Sequence, residues 1–385
     1  EAGTLLRVLV PRLQAELEHE KLQSIMDRYE LPLIPVLARM EEQGICVDVG
    51  YLRELSKELQ HDKKQIESKM EKLVGKTFNP ASPTQLSEVL FTDLKLPTKG
   101  VKKGKTGYST AAPELEKLRG QHPLIELIEE HRELAKMLST YVETLPDQVD
   151  ADGRIHTTYH QVIAATGRLS STDPNLQNIP IRTELGRRIR RAFTASKGYT
   201  LLSCDYSQIE LRLVAAIAHD QKMLEAFQAG KDIHTATASE IWHIPLTSVT
   251  KEQRSIAKAI NFGIIFGQGP QGLSRVADIS YADAKQFIAT YFEIYHGVKE
   301  YMAQTKAIAH TRGYVETLSG RRRYLPDLHS NMHQLRAQAE RMAINMPIQG
   351  TDADVMKQAM IAVAAALPRL PPAPRAFLQA QAEWV

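Results

Sequence analysis

The stretch RSIAKAINFGIIFG, residues 254–267, constrains the chain most. Arg254, Lys258, Phe262 and Phe266 recur at every fourth position, and in a helix they form one slowly drifting stripe. An ordinary amphipathic helix turns its aromatics inward and its cations outward, whereas here one face carries both. Phosphates suit the cationic end of such a stripe and a flat base or sugar suits the aromatic end, which is the polarity of a nucleoside triphosphate lying along the helix. The competing reading puts both rings in the core with Arg254 and Lys258 snorkelling past them. Gly263 and Gly267 each weaken a helix by about 1 kcal/mol relative to Ala, a cost that asks for a reason such as close approach of a ligand.

A second stretch, LLSCDYSQIELRL at 201–213, reads as a short apolar strand, Leu201 to Cys204, that delivers Asp205 to its end. Ile209, Leu211, Leu213 and Val214 then open a helix. A single Asp at such a strand end ordinarily caps the following helix. Metal or phosphate chemistry needs a second carboxylate, a cation or a phosphate-binding face nearby.

A chain of 385 residues with 43% apolar content is too long for one ordinary core and implies two or three subdomains. The formal charge of +3 says little, because a balanced total hides local basic patches. Cys46 and Cys204 lie far apart and form neither a metal pattern nor a disulfide framework, which fits a reducing interior. With no positive-then-apolar leader and no membrane-length apolar run, the expectation is a soluble, cytoplasmic protein without membrane contact. The helix-like start, TLLRVLVPRLQAELEHEKLQSIMDRYE, suggests a fragment of something longer.

Residues 1–45 read as helices ending at the turn EEQGICVD, and residues 51–74 as an exposed helix with apolar positions on a heavily charged background. The loop KLPTKGVKKGKTGYST carries Lys95, Lys99, Lys102, Lys103 and Lys105 between glycines. It is either a solvated surface loop or a basic tip that grips a phosphate backbone. GVKKGKT has three residues between its glycines where a nucleotide-cradling loop needs four, so that motif is rejected. After two amphipathic helical stretches at 114–146, ADGRIHTTYHQ alternates like a strand. The polar segment that follows holds Arg168, Asn175, Gln177, Asn178 and Arg182, side chains that suit phosphates and base edges.

Four stretches, DYSQIELR, RSIAKAINFGIIFG, TGRLSSTDPNLQNIPIR and RMAINMPIQGTDADVMKQAM, together resemble the polymerase domain of a family A DNA polymerase of the bacterial DNA polymerase I type. They stand in order, with family-like spacing, over nearly the whole chain. The resemblance implies an α+β right-hand fold: a palm built on an antiparallel sheet, mostly helical fingers and a helical thumb. Residues 1–45 would be an N-terminal helical remnant, 46–146 thumb, 147–210 the first part of the palm, 211–310 fingers and 311–385 a truncated second part of the palm. It implies a monomer whose partners are primer-template DNA and deoxynucleoside triphosphates.

Site residues follow from the same resemblance. Asp205 matches the palm aspartate that binds two Mg2+ ions, for which Mn2+ substitutes, and the carbonyl of Tyr206 assists. Arg254, Lys258 and His234 match triphosphate contacts, and Lys258 would also protonate the leaving pyrophosphate. Phe262 matches the ring that packs on the incoming sugar, with Phe266 and Gln208 also on the nucleotide side. Glu210 matches the residue whose bulk excludes a ribose 2'-hydroxyl. Arg168, Arg341, Asn345 and Gln349 match contacts to the primer terminus or minor groove, whose acceptors are similar for all correct pairs. Asn175, Asn178, Arg182 and the thumb-tip Lys102, Lys103 and Lys105 complete the expected DNA-binding set.

Two departures stand out. Phe266 replaces the usual Tyr, which keeps stacking, removes a hydroxyl and implies altered fidelity. Laid without gaps on the family's His-Asp-Glu triplet, FLQAQAEWV puts Gln381, Ala382 and Glu383 there, so the second metal aspartate is replaced by Ala382. Glu383 is the substitute at hand, disfavoured because adjacent strand residues point to opposite faces. The chain also stops at Val385, where the family continues through the palm. The expectation is a template-directed DNA polymerase of impaired or absent turnover and without proofreading. The alternative is a non-catalytic primer-template-binding protein with a polymerase fold, because phosphate contacts and stacking aromatics serve a binder equally well.

Overall fold

The computed structural model describes residues 2–105, 107–181, 183–369, 379–380 and 383–384. The chain divides into two compact units. The first comprises residues 1–40, 159–170 and 203–385; the second comprises residues 41–158 and 171–202. Helices dominate both, and the sheets are small and antiparallel. No helix among the described residues is long and apolar enough to cross a membrane.

In the second unit the Val49–Val74 helix starts where Asp48 accepts the amide of Tyr51 at 2.8 Å, and it ends at the left-handed Gly75. The expected exposed helix proves amphipathic in a stricter sense. Leu52, Leu55, Leu59, Ile66 and Met70 are buried, in part against the Leu124–Met137 helix, and the charged positions remain outside. His131 of that second helix is buried and meets Glu67 at 2.9 Å. The strand Ile45–Val47 lies between Arg154–Ile155 and Phe193–Thr194, antiparallel to both. Arg154–Ile155 begins the segment whose alternation predicted a strand. The Lys-rich loop contains a short hairpin, Lys103–Gly104 against Gly107–Tyr108.

In the first unit a run of helices from Ile209–Ile217 to His296–Arg312 closes on the 34-residue helix His333–Ala366. Their shared core is aliphatic and aromatic, with Leu211, Val214, Ile260, Ile264, Tyr291 and Ile344 among its buried members. The strand expected over Leu201–Cys204 is confined to Cys204–Asp205, which pairs with Glu383–Trp384 in the register Asp205 to Glu383. Apolar character misleads here because the segment is little covered among the described residues: Leu202 is 74% exposed, and the described ladder that reaches Asp205 ends at Cys204.

An ionic network ties remote parts of this unit together. Glu30 Oε1 accepts from Arg321 Nη2 at 2.6 Å and from Lys357 Nζ at 2.7 Å. Its Oε2 accepts from Gln161 Nε2 at 2.6 Å. Arg321 Nε also donates to Asp354 Oδ1 at 2.8 Å, and Asp354 Oδ2 accepts from Thr317 Oγ1 at 2.7 Å. Two cations thus meet two carboxylates in a region where Lys357 is only 1% exposed. Burial works against the charged form of Glu30, but the hydrogen bond and charge of Lys357, with Arg321 beside it, hold its carboxyl below the usual range. Removing one member of such a set leaves an uncompensated buried charge, which costs about 3–5 kcal/mol. Glu30→Ala should therefore lower the unfolding free energy by about that amount. Lys357→Met should cost less, since Glu30 keeps Arg321. Denaturant unfolding of the two variants checks this, and equal losses would refute the asymmetry.

Candidate active site

The helix that carries the cation and aromatic stripe spans Lys251–Ile265. Its start is fixed by a capping box in which Thr250 and Gln253 satisfy each other's backbone amides. Arg254 and Lys258 are exposed, while Phe262 is half-buried against the core and stacks on Phe266 with centroids 6.1 Å apart and planes 13° apart. Phe262 leans on the core, and the two cations stay outside. Phe266 is the C-cap residue, followed by Gly267 at φ +69°. A Cβ on Gly267 would lie 2.8 Å from Cγ of Arg341, and one on Gly263 would lie 2.9 Å from Oε1 of Gln268. Gly267 serves a left-handed turn, and both glycines lie close against neighbouring side chains.

Arg254 is engaged by Asp232 in a two-pronged pair, Nε to Oδ2 at 2.8 Å and Nη2 to Oδ1 at 3.1 Å. Asp232 also caps the Ile233–Trp242 helix by accepting the amide of Thr235 at 2.9 Å, and it accepts from Gln208 Nε2 at 3.1 Å. These bonds to Arg254 and Thr235 outweigh burial and hold the Asp232 carboxyl far below its ordinary range. Lys258 makes no hydrogen bond or ion pair among the described residues. His234, the second residue of the capped helix, is buried, with its ring 5.8 Å from that of Phe262 and its Nδ1 3.2 Å from Nδ2 of Asn261. Burial first, and then the charges of Arg254 and Lys258, push the imidazole down to about 4 against a partial pull from Asp232.

Gln208 links this helix to the turn that holds Asp205. It occupies the N-cap position of the Ile209–Ile217 helix in a left-handed conformation, with no side-chain cap bond. Asp205 is therefore not the cap that the simpler sequence reading made it. It stands on the Cys204–Asp205 strand, exposed, and its carboxylate makes no hydrogen bond or ion pair among the described residues; Tyr206 beside it is also exposed. Two residues past Gln208, Glu210 Oε1 accepts from Arg168 Nη2 at 2.6 Å. The same nitrogen donates to Asp352 Oδ2 at 2.8 Å. Burial raises both carboxyls and Arg168 partly offsets the effect, while the charge of Asp352 raises Glu210 further and that of Asp205 raises Asp352.

Asp352 was not singled out from the sequence. The signal that would have found it is spacing: Arg341, Asn345 and Gln349 fall every fourth residue on the His333–Ala366 helix, and Asp352 is three residues further along the same face. Asn345 Oδ1 is buried without a hydrogen-bond partner among the described residues, which leaves an acceptor available on that face. The remaining expected DNA contacts belong to the second unit. Lys102, Lys103 and Lys105 are exposed, with Lys103 5.4 Å from the ring centre of Tyr108. Asn175 is exposed but accepts the amide of Gln177 at 3.1 Å, and the carbonyl of Asn178 accepts from Tyr141 at 2.7 Å. Arg182, Gln381 and Ala382 lie outside the described residues. Among the described residues no three His, Cys, Asp or Glu side chains converge to hold a metal.

A family model described as DNA polymerase family A matches residues 49–381. The thermostable DNA polymerase I of Thermus caldophilus is 49% identical over 357 residues, covering 92% of this chain and 42% of that protein. DNA polymerase I of Pseudomonas aeruginosa is 49% identical over 345 residues, with 89% and 38% covered. The chain thus spans less than half the length of these relatives. A solved structure described as the POL domain of Pol1 from M. smegmatis in complex with DNA primer-template and dNTP superposes with a TM-score of 0.90. It is 43% identical, and the match covers 97% of this chain and 66% of that one. The fold is accordingly the α+β right-hand fold of polymerase domains. The chain belongs to DNA polymerase family A.

The buried imidazole gives this site a pH signature. His234 has its folded pKa depressed, from an ordinary 6.5 to about 4. Between those values the unfolded chain binds a proton that the folded chain refuses, so stability is intact above about pH 6.5 and falls as pH drops toward about 4. Asp232, also depressed, contributes stability that is lost only below the ordinary carboxylate range, so the two windows are separate. The difference in unfolding free energy between the parent and His234→Gln should be constant above about pH 6.5 and should change as pH falls toward about 4. A flat difference curve would mean that the ring protonates freely in the folded chain.

Proposed function

We propose that the chain is the polymerase portion of a template-directed DNA polymerase, which adds deoxynucleoside triphosphates to a primer 3'-hydroxyl. The observation that carries this reading is a continuous line of contacts in the first unit. It runs from Arg254 through Asp232 and Gln208 to the Asp205 turn, and from Glu210 through Arg168 to Asp352 on the long helix. In this reading residues 46–146 serve as thumb, 147–210 and 311–385 as palm and 211–310 as fingers, with 1–45 leading into them.

Arg254 and Lys258 bind the triphosphate, the former by exchanging its Asp232 partner for phosphate. His234, whose ring is buried beside Phe262, backs that subsite. Phe262 and Phe266 offer stacked rings to the sugar and base, and Glu210 stands at the sugar's 2' side. Arg168, Arg341, Asn345 and Gln349 read the minor groove near the primer end, and Asn175, Asn178, Arg182 and the exposed lysines 102, 103 and 105 hold the backbone. Lys258 supplies a proton to the departing pyrophosphate.

Mg2+ is ordinarily held by one or two carboxylates together with substrate phosphates, and the free carboxylate of Asp205 with the Tyr206 carbonyl fits one such ion. Two ions, when bound, would stabilise the attacking and leaving oxygens of the displacement. For a second protein carboxylate the ladder register supports Glu383, whose backbone position pairs directly with that of Asp205.

A second reading, primer-template binding without turnover, draws support from the sequence, where Ala382 stands at the position matching the family's second metal aspartate. Primer extension with all four deoxynucleotides and Mg2+ or Mn2+, run beside duplex binding, separates the two. Polymerase function predicts extension that Asp205→Ala abolishes while duplex binding persists. It also predicts a turnover loss of about 10²–10⁴ in Lys258→Ala with a diminished solvent isotope effect. Duplex binding without extension in the parent would establish the binder instead.

A further inference from the structure

Arg168 is held by two carboxylates through a single nitrogen. Nη2 carries two hydrogens, and Glu210 at 2.6 Å and Asp352 at 2.8 Å take one each. The guanidinium is thereby fixed between the start of the Ile209–Ile217 helix and the middle of the His333–Ala366 helix. The Asp352 side chain is 5% exposed and that of Glu210 17%. Among the described residues Arg168 is the only hydrogen-bond partner of either. Its backbone is fixed as well: Gly167 is left-handed at φ +82°, and a Cβ there would fall 2.6 Å from Nε of Arg321, which Glu30 and Asp354 hold in place.

One carboxylate would satisfy one guanidinium. A second, buried and repelling the first, costs stability unless the geometry it enforces is used. What Asp352 adds is an anchor. Without it, Arg168 and Glu210 form a pair free to swing together at the end of a helix; with it, the pair is tied to the long helix. We propose that Asp352 is a positioning residue for nucleotide sugar selection, holding Arg168 so that Glu210 presents a fixed surface to the 2' position of the incoming nucleotide. The proposal rests on the polymerase reading and extends it to a residue whose effect is on deoxyribose against ribose.

The test needs no turnover. With a primer ended by a dideoxynucleotide on its template, the full chain is titrated in Mg2+ with the next complementary deoxynucleoside triphosphate and with its ribose counterpart. Nucleotide-dependent complex formation is followed by fluorescence of the duplex. Four proteins are compared: the parent, Glu210→Ala, Asp352→Ala and Asp352→Asn, the last keeping one acceptor oxygen and the side-chain shape. The expected result is a ribose-to-deoxyribose Kd ratio that falls by about fivefold or more in Asp352→Ala, equivalent to about 1 kcal/mol, and by less in Asp352→Asn. If Asp352→Ala does not fold, Asp352→Asn carries the test, with a fall in the ratio of at least about twofold expected. A ratio unchanged in the Asp352 variants while Glu210→Ala loses discrimination overturns this inference alone. A parent that discriminates no better than Glu210→Ala likewise overturns this inference alone, whereas a parent that forms no nucleotide-dependent complex removes the polymerase reading and this inference with it.

Discussion

A single carboxylate, Glu30, holds four distant parts of the first unit together. It receives Arg321 from beside the Tyr314–Glu316 and Arg322–Tyr324 hairpin, Lys357 from the long helix and Gln161 from the segment that leads to Arg168. Ordering such separated stretches costs conformational entropy, and generic apolar packing would leave their relative register loose. Charge-assisted bonds at 2.6–3.0 Å specify it. The specification passes outward: Arg321 lies against Gly167, Gly167 sets the chain at Arg168, and Arg168 sets Glu210. An interaction far along the sequence from the nucleotide-side residues thus decides how one of them is aimed.

The site itself is arranged so that most of its charges are already spoken for. Arg254 rests on Asp232, and Arg168 rests between Glu210 and Asp352, while Lys258 and Asp205 stand free among the described residues. The charged side chains are therefore of two kinds: those that stand free among the described residues and those already held by an internal partner. Neutral His234 beside Phe262 adds polarity without charge, since burial keeps the imidazole unprotonated near neutral pH.

Much of this was legible in the sequence where a period was enforced by packing. The apolar spacing at 51–74 falls within the Val49–Val74 helix, and the stripe from Arg254 falls on the Lys251–Ile265 helix except for Phe266, which caps its end. Local composition failed where structure depends on distant partners. Leu201–Ser203 looked like strand but has no ladder, and Asp205 looked like a cap but stands before a helix that begins at a left-handed Gln208. Gly263 and Gly267 lie against Gln268 and Arg341, neighbours that the local sequence does not show. Asp352 escaped notice because its meaning comes from Arg168, a residue from a different part of the chain. The four family stretches marked the site, and the electrostatic ties among them became visible only in three dimensions.

The ladder that brings Cys204–Asp205 against Glu383–Trp384 is two residues long on each side. A long strand has its alignment confirmed many times over by successive pairs, and a slip would turn an entire buried face outward. Two pairs offer almost no such redundancy. A shift of one position would place a different backbone neighbour across from Asp205 while disturbing little else, so the chemical surroundings of that aspartate are governed by an alignment with scant mechanical insurance.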